Sequence, residues 1–261
     1  MLEFWLIYGQ ALLVIIGLMT VLWFISLLWL DSSIVDIFWG PGFLAAAAVY
    51  FQLTEDGYII RKILVLSLVA IWSLRLGGYL LWRNWGQGED FRYQKMRQTA
   101  RGDWWWQSYL KVFLLQGFIM WLVSAPLLGA QYRTVSNSLN LLDLLGVLVW
   151  ATGFAFETLG DWQLARFKRN PANKGKLLTT GVWYYTRHPN YFGDACVWWG
   201  FGLFSLAAGS LLPVLGSLLM TYVIVRISGV AMLERSLRKT KPGYEDYITR
   251  TSSFLPRPPK K

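Results

Sequence analysis

The chain has 261 residues, 55% of them hydrophobic, 17% aromatic and only 15% charged, with a net charge of +10. A soluble domain of this length would carry more charge, and a single cysteine (Cys196) with a single histidine (His188) excludes an intrachain disulfide, a thiolate metal cluster and the usual zinc spacings. No metal site is expected, and the basic charge does not imply nucleic acid, because the Lys and Arg residues flank apolar runs, where they set membrane orientation or meet an anionic ligand.

Apolar runs of about 18 to 25 residues read as spanning helices. Seven are expected, near 4–29, 33–53, 61–83, 109–130, 139–159, 192–210 and 211–229, giving an all-α integral membrane protein. The first run follows Met-Leu-Glu-Phe, without a basic n-region or a small-residue cleavage site, so it reads as a retained helix. Asp31-Ser32-Ser33 separates the first two runs, and Gly209-Ser210 with Pro213 separates the last two. The 83–108 loop, the 160–191 loop and the tail hold most of the Lys and Arg, against Arg61, Lys62 and Arg133 in the opposite loops. An odd number of spans then puts the N-terminus outside and the C-terminus in the cytoplasm. There is no internal repeat, so 1–261 reads as a single membrane domain ending in a frayed basic tail, Pro-Arg-Pro-Pro-Lys-Lys.

Ionisable residues inside apolar runs are costly and mark pathways or sites. Asp36, about one turn into the second run, reads either as an acid favoured by the helix dipole or as a proton donor or the carboxylate that organises one. Arg75, Tyr79 and Arg83 stand at i, i+4 and i+8 and share a helix face. Arg83 suits snorkelling to the interface, whereas Arg75 is deeper and calls for an anionic partner. Gly86-Gln-Gly-Glu-Asp-Phe-Arg-Tyr93 reads as a structured cytoplasmic loop or a solvated turn. Glu157 and Asp161 lie one turn apart, and their repulsion needs a basic answer from Arg166 or Arg187. Such a carboxylate–guanidinium set suits ribose hydroxyls and phosphates, and a plain ion-pair network at the helix end would look the same.

The segment 174–194 is the most specific. It contains Thr186-Arg187-His188-Pro189-Asn190-Tyr191-Phe192-Gly193-Asp194, with Gly181 making a turn and Pro189 opening the sixth helix. Asn190 and the backbone N–H groups after it would face a phosphate from a helix N-terminus. The segment after the seventh run, from Glu234 through Tyr244 and Tyr247 to Pro256, reads as an amphipathic helix and a turn that caps the same pocket.

The block from Lys176 through Gly181, Tyr184, Arg187, His188, Pro189, Asn190, Tyr191 and Gly193 to Asp194, with the Glu234…Tyr244…Tyr247…Pro256 tail, resembles a known C-terminal domain. It is shared by steroid 5-alpha-reductases, sterol reductases of the delta-14 type and isoprenylcysteine carboxyl methyltransferases. With Asp36-Ile-Phe-Trp39-Gly40, Arg75 to Tyr93 and Asp161 to Arg169 added, most of the chain is similar to the bacterial steroid 5-alpha-reductase-like proteins of the DUF1295 group. The resemblance implies a seven-helix reductase of the bacterial cytoplasmic membrane. It would use NADPH to reduce a carbon–carbon double bond conjugated to a ketone, as in a 3-oxo-4-ene steroid or similar lipid entering from the bilayer. By the same resemblance, Asp161, Arg166, Arg169, Tyr184, Arg187, His188, Asn190, Tyr191 and Asp194 hold the dinucleotide, and Arg75 and Arg83 approach it from the third helix. Asp36 and Tyr79 are the nearest counterparts of the acid and tyrosine that polarise the enone oxygen. Helices 4–83 would form the substrate side and 109–261 the cofactor part; no obligate protein partner is inferred.

The Arg-His-Pro-x-Tyr-x-Gly pattern also belongs to methyltransferases using S-adenosylmethionine, which stand as the alternative. Asp161 with Arg166, Lys168 and Arg169 favours NADPH, because these residues read sugar and phosphate beyond what a sulfonium cofactor needs. A transporter or lipid-binding module is the third reading, opposed by the absence of repeats and by charges gathered on one face.

Overall fold

The computed structural model describes residues 2–133, 135 and 137–260; Met1 and Lys261, which begin the first run's flank and end the basic tail, lie outside them. Among the described residues there are helices and no strand, the all-α class expected. The chain forms two compact units, one of residues 1–139 with 204–216 and one of residues 140–203 with 217–261.

In the first unit α1 runs over Leu2–Trp29 and stops where Leu30 turns left-handed at φ 54°. Next come α2 (Ile34–Ile37), α3 (Trp39–Leu53), α4 (Ile59–Asn84) and α5 (Phe91–Thr99). The run Trp104–Tyr132 consists of α6 (Trp104–Ser108), a π-helical turn at Tyr109–Leu114, α7 (Leu115–Val123) and α8 (Ala125–Tyr132). Two reciprocal bonds tie α1 to α7. The Tyr8 hydroxyl donates to the Trp121 carbonyl at 2.7 Å, the Trp121 indole donates to the Tyr8 carbonyl at 2.9 Å, and the rings stack at 4.4 Å. Inside lipid no water can satisfy these groups, so such pairs fix the helices' register.

The expected second span is not one helix. It breaks at Phe38, and α3 begins anew with Pro41 in its first turn, where a missing N–H leaves no bond unmade. At 15 residues α3 is about 22 Å long, well short of a hydrocarbon core.

The second unit holds α9 (Leu141–Arg169), α10 (Val182–Tyr185), α11 (Pro189–Ala207) as far as Leu203, α12 (Leu215–Tyr222) from Ser217, a π-helical turn at Val223–Ser228, α13 (Val230–Thr240) and α14 (Tyr244–Arg250). The α9–α11 seam is lined by glycine. A Cβ on Gly153 would sit 2.5 Å from the Gly193 carbonyl, and one on Gly193 would sit 2.4 Å from the Glu157 nitrogen. One on Gly200 would meet the Gly146 carbonyl at 2.9 Å. Glycines seven apart on each helix let the two backbones touch, as small residues do between membrane helices. The seam also carries the start of α11 to the polar end of α9. From α11, the Trp198 carbonyl accepts from Ser217 at 2.6 Å, and the Trp199 indole donates to Thr221 at 3.1 Å.

Among the described residues five stretches are long and apolar enough to cross a bilayer: Leu2–Trp29, Ile59–Asn84, Trp104–Tyr132, Leu141–Arg169 and Leu212–Thr240. They mark a multi-pass membrane protein and match five of the expected runs. Neither α3 nor α11, 19 residues long, is among them. As expected, α11 opens on Pro189, and Gly209 (φ +79°) with the short turn at Leu212–Val214 separates it from α12.

The seam makes a direct prediction. Gly193→Ala should lower the thermal midpoint in detergent, at a cost of about 1–3 kcal/mol for overpacking. Gly78→Ala, with nothing within 4 Å of the added methyl, should be neutral. Equal midpoints for both variants would refute the close contact.

Candidate functional site

In the second unit the polar residues are brought together by the helix ends and the tail. Gly181, at φ +66°, turns the chain back so that the Val182 nitrogen donates to the Gln163 side chain and the Trp183 indole donates to the Gly160 carbonyl, both at 3.1 Å. This pins α10 against α9, and three residues later Pro189 starts α11. Arg187 and His188, buried in that short link, meet one carboxylate. Oε1 of Glu234 on α13 accepts from Arg187 Nε (2.9 Å) and Nη2 (2.6 Å) and lies 3.2 Å from His188 Nε2. Arg187 Nη1 donates to the Ile248 carbonyl at 3.2 Å and to the Thr251 carbonyl.

The tail closes on the same link. The Arg187 nitrogen donates to Ser252, the Arg257 nitrogen to Tyr185, and Thr186 Oγ1 to Phe254, each at 2.9 Å. The Tyr247 hydroxyl donates to the Trp183 carbonyl. The tail expected to fray is therefore strapped to the link by backbone bonds, and the Lys260 nitrogen also reaches the Arg250 carbonyl at 3.0 Å.

Next to the link, Asn190 donates to the buried Asp161 at 3.2 Å, and the Tyr191 ring stacks on His188 at 5.7 Å. Asp194 lies one turn further along α11, half-buried. Thus Asp161, Arg187, His188, Asn190 and Tyr191 form one connected group. Arg166 and Arg169 lie exposed at the end of α9, Arg166 over the Trp162 ring at 5.5 Å, and Tyr184 is exposed on α10. The guanidinium of Arg187, one of the residues expected to hold a dinucleotide, bonds Glu234 and tail carbonyls. The centre of the group, Glu234, was absent from the expected site residues. Its only signal is its place at the head of the acidic-aromatic tail pattern.

Between the end of α9, the 170–178 loop, α13 and α14 lies a cavity of about 420 Å³. Leu164, Phe167, Leu178, Trp183 and Leu237 give it an apolar wall; Lys168, Lys174, Lys176 and Lys241 line it as well. Tyr244, 2% exposed, also faces it; its hydroxyl stands near the Arg187 guanidinium but completes no hydrogen bond among the described residues. Burial pushes that phenol up to about 12, so the hydroxyl keeps its proton at neutral pH.

In the first unit, Asp36 accepts from the Tyr93 hydroxyl and from Arg92 Nη2, both at 2.6 Å, and Gln116 donates to the Tyr93 oxygen at 3.0 Å. Asp90 caps α5 by accepting from the Arg92 nitrogen at 2.9 Å, and Glu89 takes the Ser32 nitrogen at 2.8 Å and Arg97. The Gly86–Tyr93 loop is therefore structured, the first of the two readings open in the sequence. The guanidinium beside Asp90 holds its carboxyl below the usual range against the effect of burial, and burial drives the Tyr93 phenol strongly upward. Tyr79 and Arg83 lie on α4 with the guanidinium 5.8 Å from the ring centroid, and Arg83 also donates to Asn84 at 3.0 Å. Arg75 is half-buried on the same helix. Tyr93 and Arg92, the groups that touch Asp36, were not among the expected catalytic residues.

These features define a helical membrane protein whose polar side chains gather at helix ends and in the links between them. The chain belongs to the DUF1295 family, described as a protein of unknown function, whose model matches residues 22–251. It is 25% identical over 284 aligned positions to an uncharacterized protein of Schizosaccharomyces pombe, covering 96% of this chain and 79% of that one. It is 26% identical over 211 positions to a delta(14)-sterol reductase of Ascobolus immersus, covering 75% of this chain and 44% of the reductase. A probable O-methyltransferase of Ustilaginoidea virens is 31% identical over 112 positions, covering 43% of this chain and 34% of that protein. No solved structure gives a significant match.

Burial holds the His188 imidazole below the usual histidine range, opposed by Glu234 and aided by Arg187. The folded chain then takes this proton less readily than the unfolded one. Its contribution to stability is full above about pH 6.5 and is lost as pH falls below that value. Hydrogen exchange at 185–190 and 251–257, corrected for intrinsic rates, should be steady above about pH 6.5 and quicken as pH falls below it. In His188→Gln, which does not titrate there, it should stay flat. Matching profiles would show that the imidazole is not the responsible group.

Proposed function

We propose that this protein reduces a carbon–carbon double bond conjugated to a ketone in an apolar lipid, using NADPH. The observation that carries the reading is the likeness to a delta(14)-sterol reductase across 75% of the chain. The residues fit such a cofactor. Asp161, held by Asn190, offers an acceptor for sugar hydroxyls, and the lysine-lined cavity with its unpartnered Tyr244 hydroxyl suits a phosphorylated nucleoside. In the proposal Arg166, Arg169, Tyr184, Arg187, His188, Tyr191 and Asp194 complete that site. The coenzyme, when bound, supplies the hydride.

Hydride addition builds negative charge on the ketone oxygen, and a donor aimed there lowers the barrier. Tyr79 is proposed to donate to that oxygen. Asp36 organises the donor side through the Tyr93 hydroxyl it already holds at 2.6 Å. Seven crossings with the C-terminus in the cytoplasm would place the basic loops beside the cytoplasmic coenzyme pool, and the substrate would enter from the bilayer. The membrane proposed is the bacterial inner membrane.

A second reading, methyl transfer from S-adenosylmethionine, is favoured by the likeness to a probable O-methyltransferase across 43% of the chain. Titrating purified protein with each cofactor, followed by nicotinamide and tryptophan fluorescence, separates the two. NADPH should bind saturably and be oxidised on adding a 3-oxo-4-ene steroid. Asp36→Asn, Tyr79→Phe and Tyr93→Phe should lower kcat about 100-fold or more with little change in cofactor affinity. Saturable binding of S-adenosylmethionine alone would replace the reductase reading with the methyltransferase one.

A further inference from the structure

The cavity of the second unit combines three features that the group around Glu234 does not share. Lys168, Lys174, Lys176 and Lys241 line it, and no Asp or Glu is among its lining residues. The Lys241 ammonium lies 3.5 Å from the Lys176 carbonyl, which brings the tail's lysine to the mouth of the 170–178 loop. Like charges gathered this way repel unless an anion answers them. The nearby Glu234 carboxylate is already engaged by Arg187 and His188.

Opposite the lysines the wall is apolar and partly aromatic, with Phe167, Trp183 and Leu237, and the Tyr244 hydroxyl stands buried and unpartnered among the described residues. A buried hydroxyl without a partner is costly and signals a missing polar neighbour. Arg187 also lines the cavity and stands close to the Tyr244 hydroxyl, but its N–H groups are given to Glu234 and two tail carbonyls. The cations placed to read an anion are therefore Lys174, Lys176 and Lys241, point charges on flexible stems that suit a terminal phosphate.

We infer that this cavity binds a phosphate monoester carried on an apolar or aromatic body, with the phosphate met by Lys174, Lys176 and Lys241 and a polar atom of the body met by the Tyr244 hydroxyl. Where the ligand is the pyridine nucleotide, the inference rests on the proposed reductase function and assigns the adenosine 2′-phosphate to the lysines, not to Arg187. The same chemistry is offered by phosphatidic acid, whose headgroup is also a monoester.

The test uses full-length protein in phosphatidylcholine nanodiscs, reading tryptophan fluorescence, because Trp183 faces the cavity. Adenosine 2′-phosphate should bind about tenfold or more tighter than adenosine, and NADPH tighter than NADH by a similar factor. In Lys174→Gln/Lys176→Gln/Lys241→Gln, in which the first two side chains are exposed and the third half-buried, and whose fold is checked by circular dichroism, both ratios should fall to near one. Tyr244→Phe should weaken every nucleotide alike and leave the ratios intact.

In a second arm, nanodiscs doped with phosphatidic acid are analysed for retained lipid. Retention by the wild type, lost in the triple variant and without any phosphate preference among nucleotides, supports the phosphate site and makes its occupant a lipid. Equal binding of adenosine and its 2′-phosphate with no lipid retained overturns the inference, as does a triple variant that keeps the wild-type ratios. The two proposals fail separately. Lysine-dependent binding without enone reduction removes the function and leaves the site. Enone reduction with an unchanged KM for NADPH in the triple variant removes the site and leaves the function.

Discussion

One carboxylate oxygen organises the second unit. Oε1 of Glu234 takes two bonds from Arg187 and faces the His188 imidazole. A guanidinium buried in the link before α11 is tolerable only if it is paired and its other N–H groups are satisfied. The Ile248 and Thr251 carbonyls meet that need, which is why the tail folds back over the link. With the tail come α14 and the Tyr244 and Lys241 side chains that complete the cavity. A single ion pair thus fixes the α11 start and closes one side of the pocket.

The other determinant is the glycine seam. Because α9 and α11 touch backbone to backbone at Gly153 and Gly193, the end of α9 lies beside the first turn of α11. A Cβ on Gly160 would come within 3.1 Å of the Asn190 nitrogen, so Asp161 and Asn190 meet with no freedom to drift. Close packing here serves the polar chemistry directly: it sets the distance between a carboxylate and a carboxamide that the sequence places 29 residues apart.

What local rules govern was legible in the sequence. Proline at a helix start, glycine at a break and long apolar runs are short-range signals, and α11, the Gly209 break and five long apolar stretches follow from them. The break at Phe38 was missed although Pro41 signalled a helix start. The break is a single residue, Phe38, within a run that hydropathy alone reads as continuous. Partners joined across long separations left no such trace. Nothing near Asp36 announces Tyr93, 57 residues on, and nothing near Arg187 announces Glu234, 47 residues on. The Pro-rich tail has neither helical nor strand periodicity, so its backbone bonds to the 185–187 link could not be anticipated. His188, Asn190 and Asp161 do lie together, and the tail expected to cap them closes on the same link, but the sequence did not indicate which tail groups bond to Arg187.

The pairing of Arg187 with Glu234 is tested most directly by a double-mutant cycle with Arg187→Leu and Glu234→Leu, measured by denaturant unfolding in mixed micelles. A buried pair of this kind predicts that each single change costs about 3–5 kcal/mol while the double variant recovers at least about 2 kcal/mol of their sum. Costs that add to within about 0.5 kcal/mol would mean that the two side chains do not hold one another.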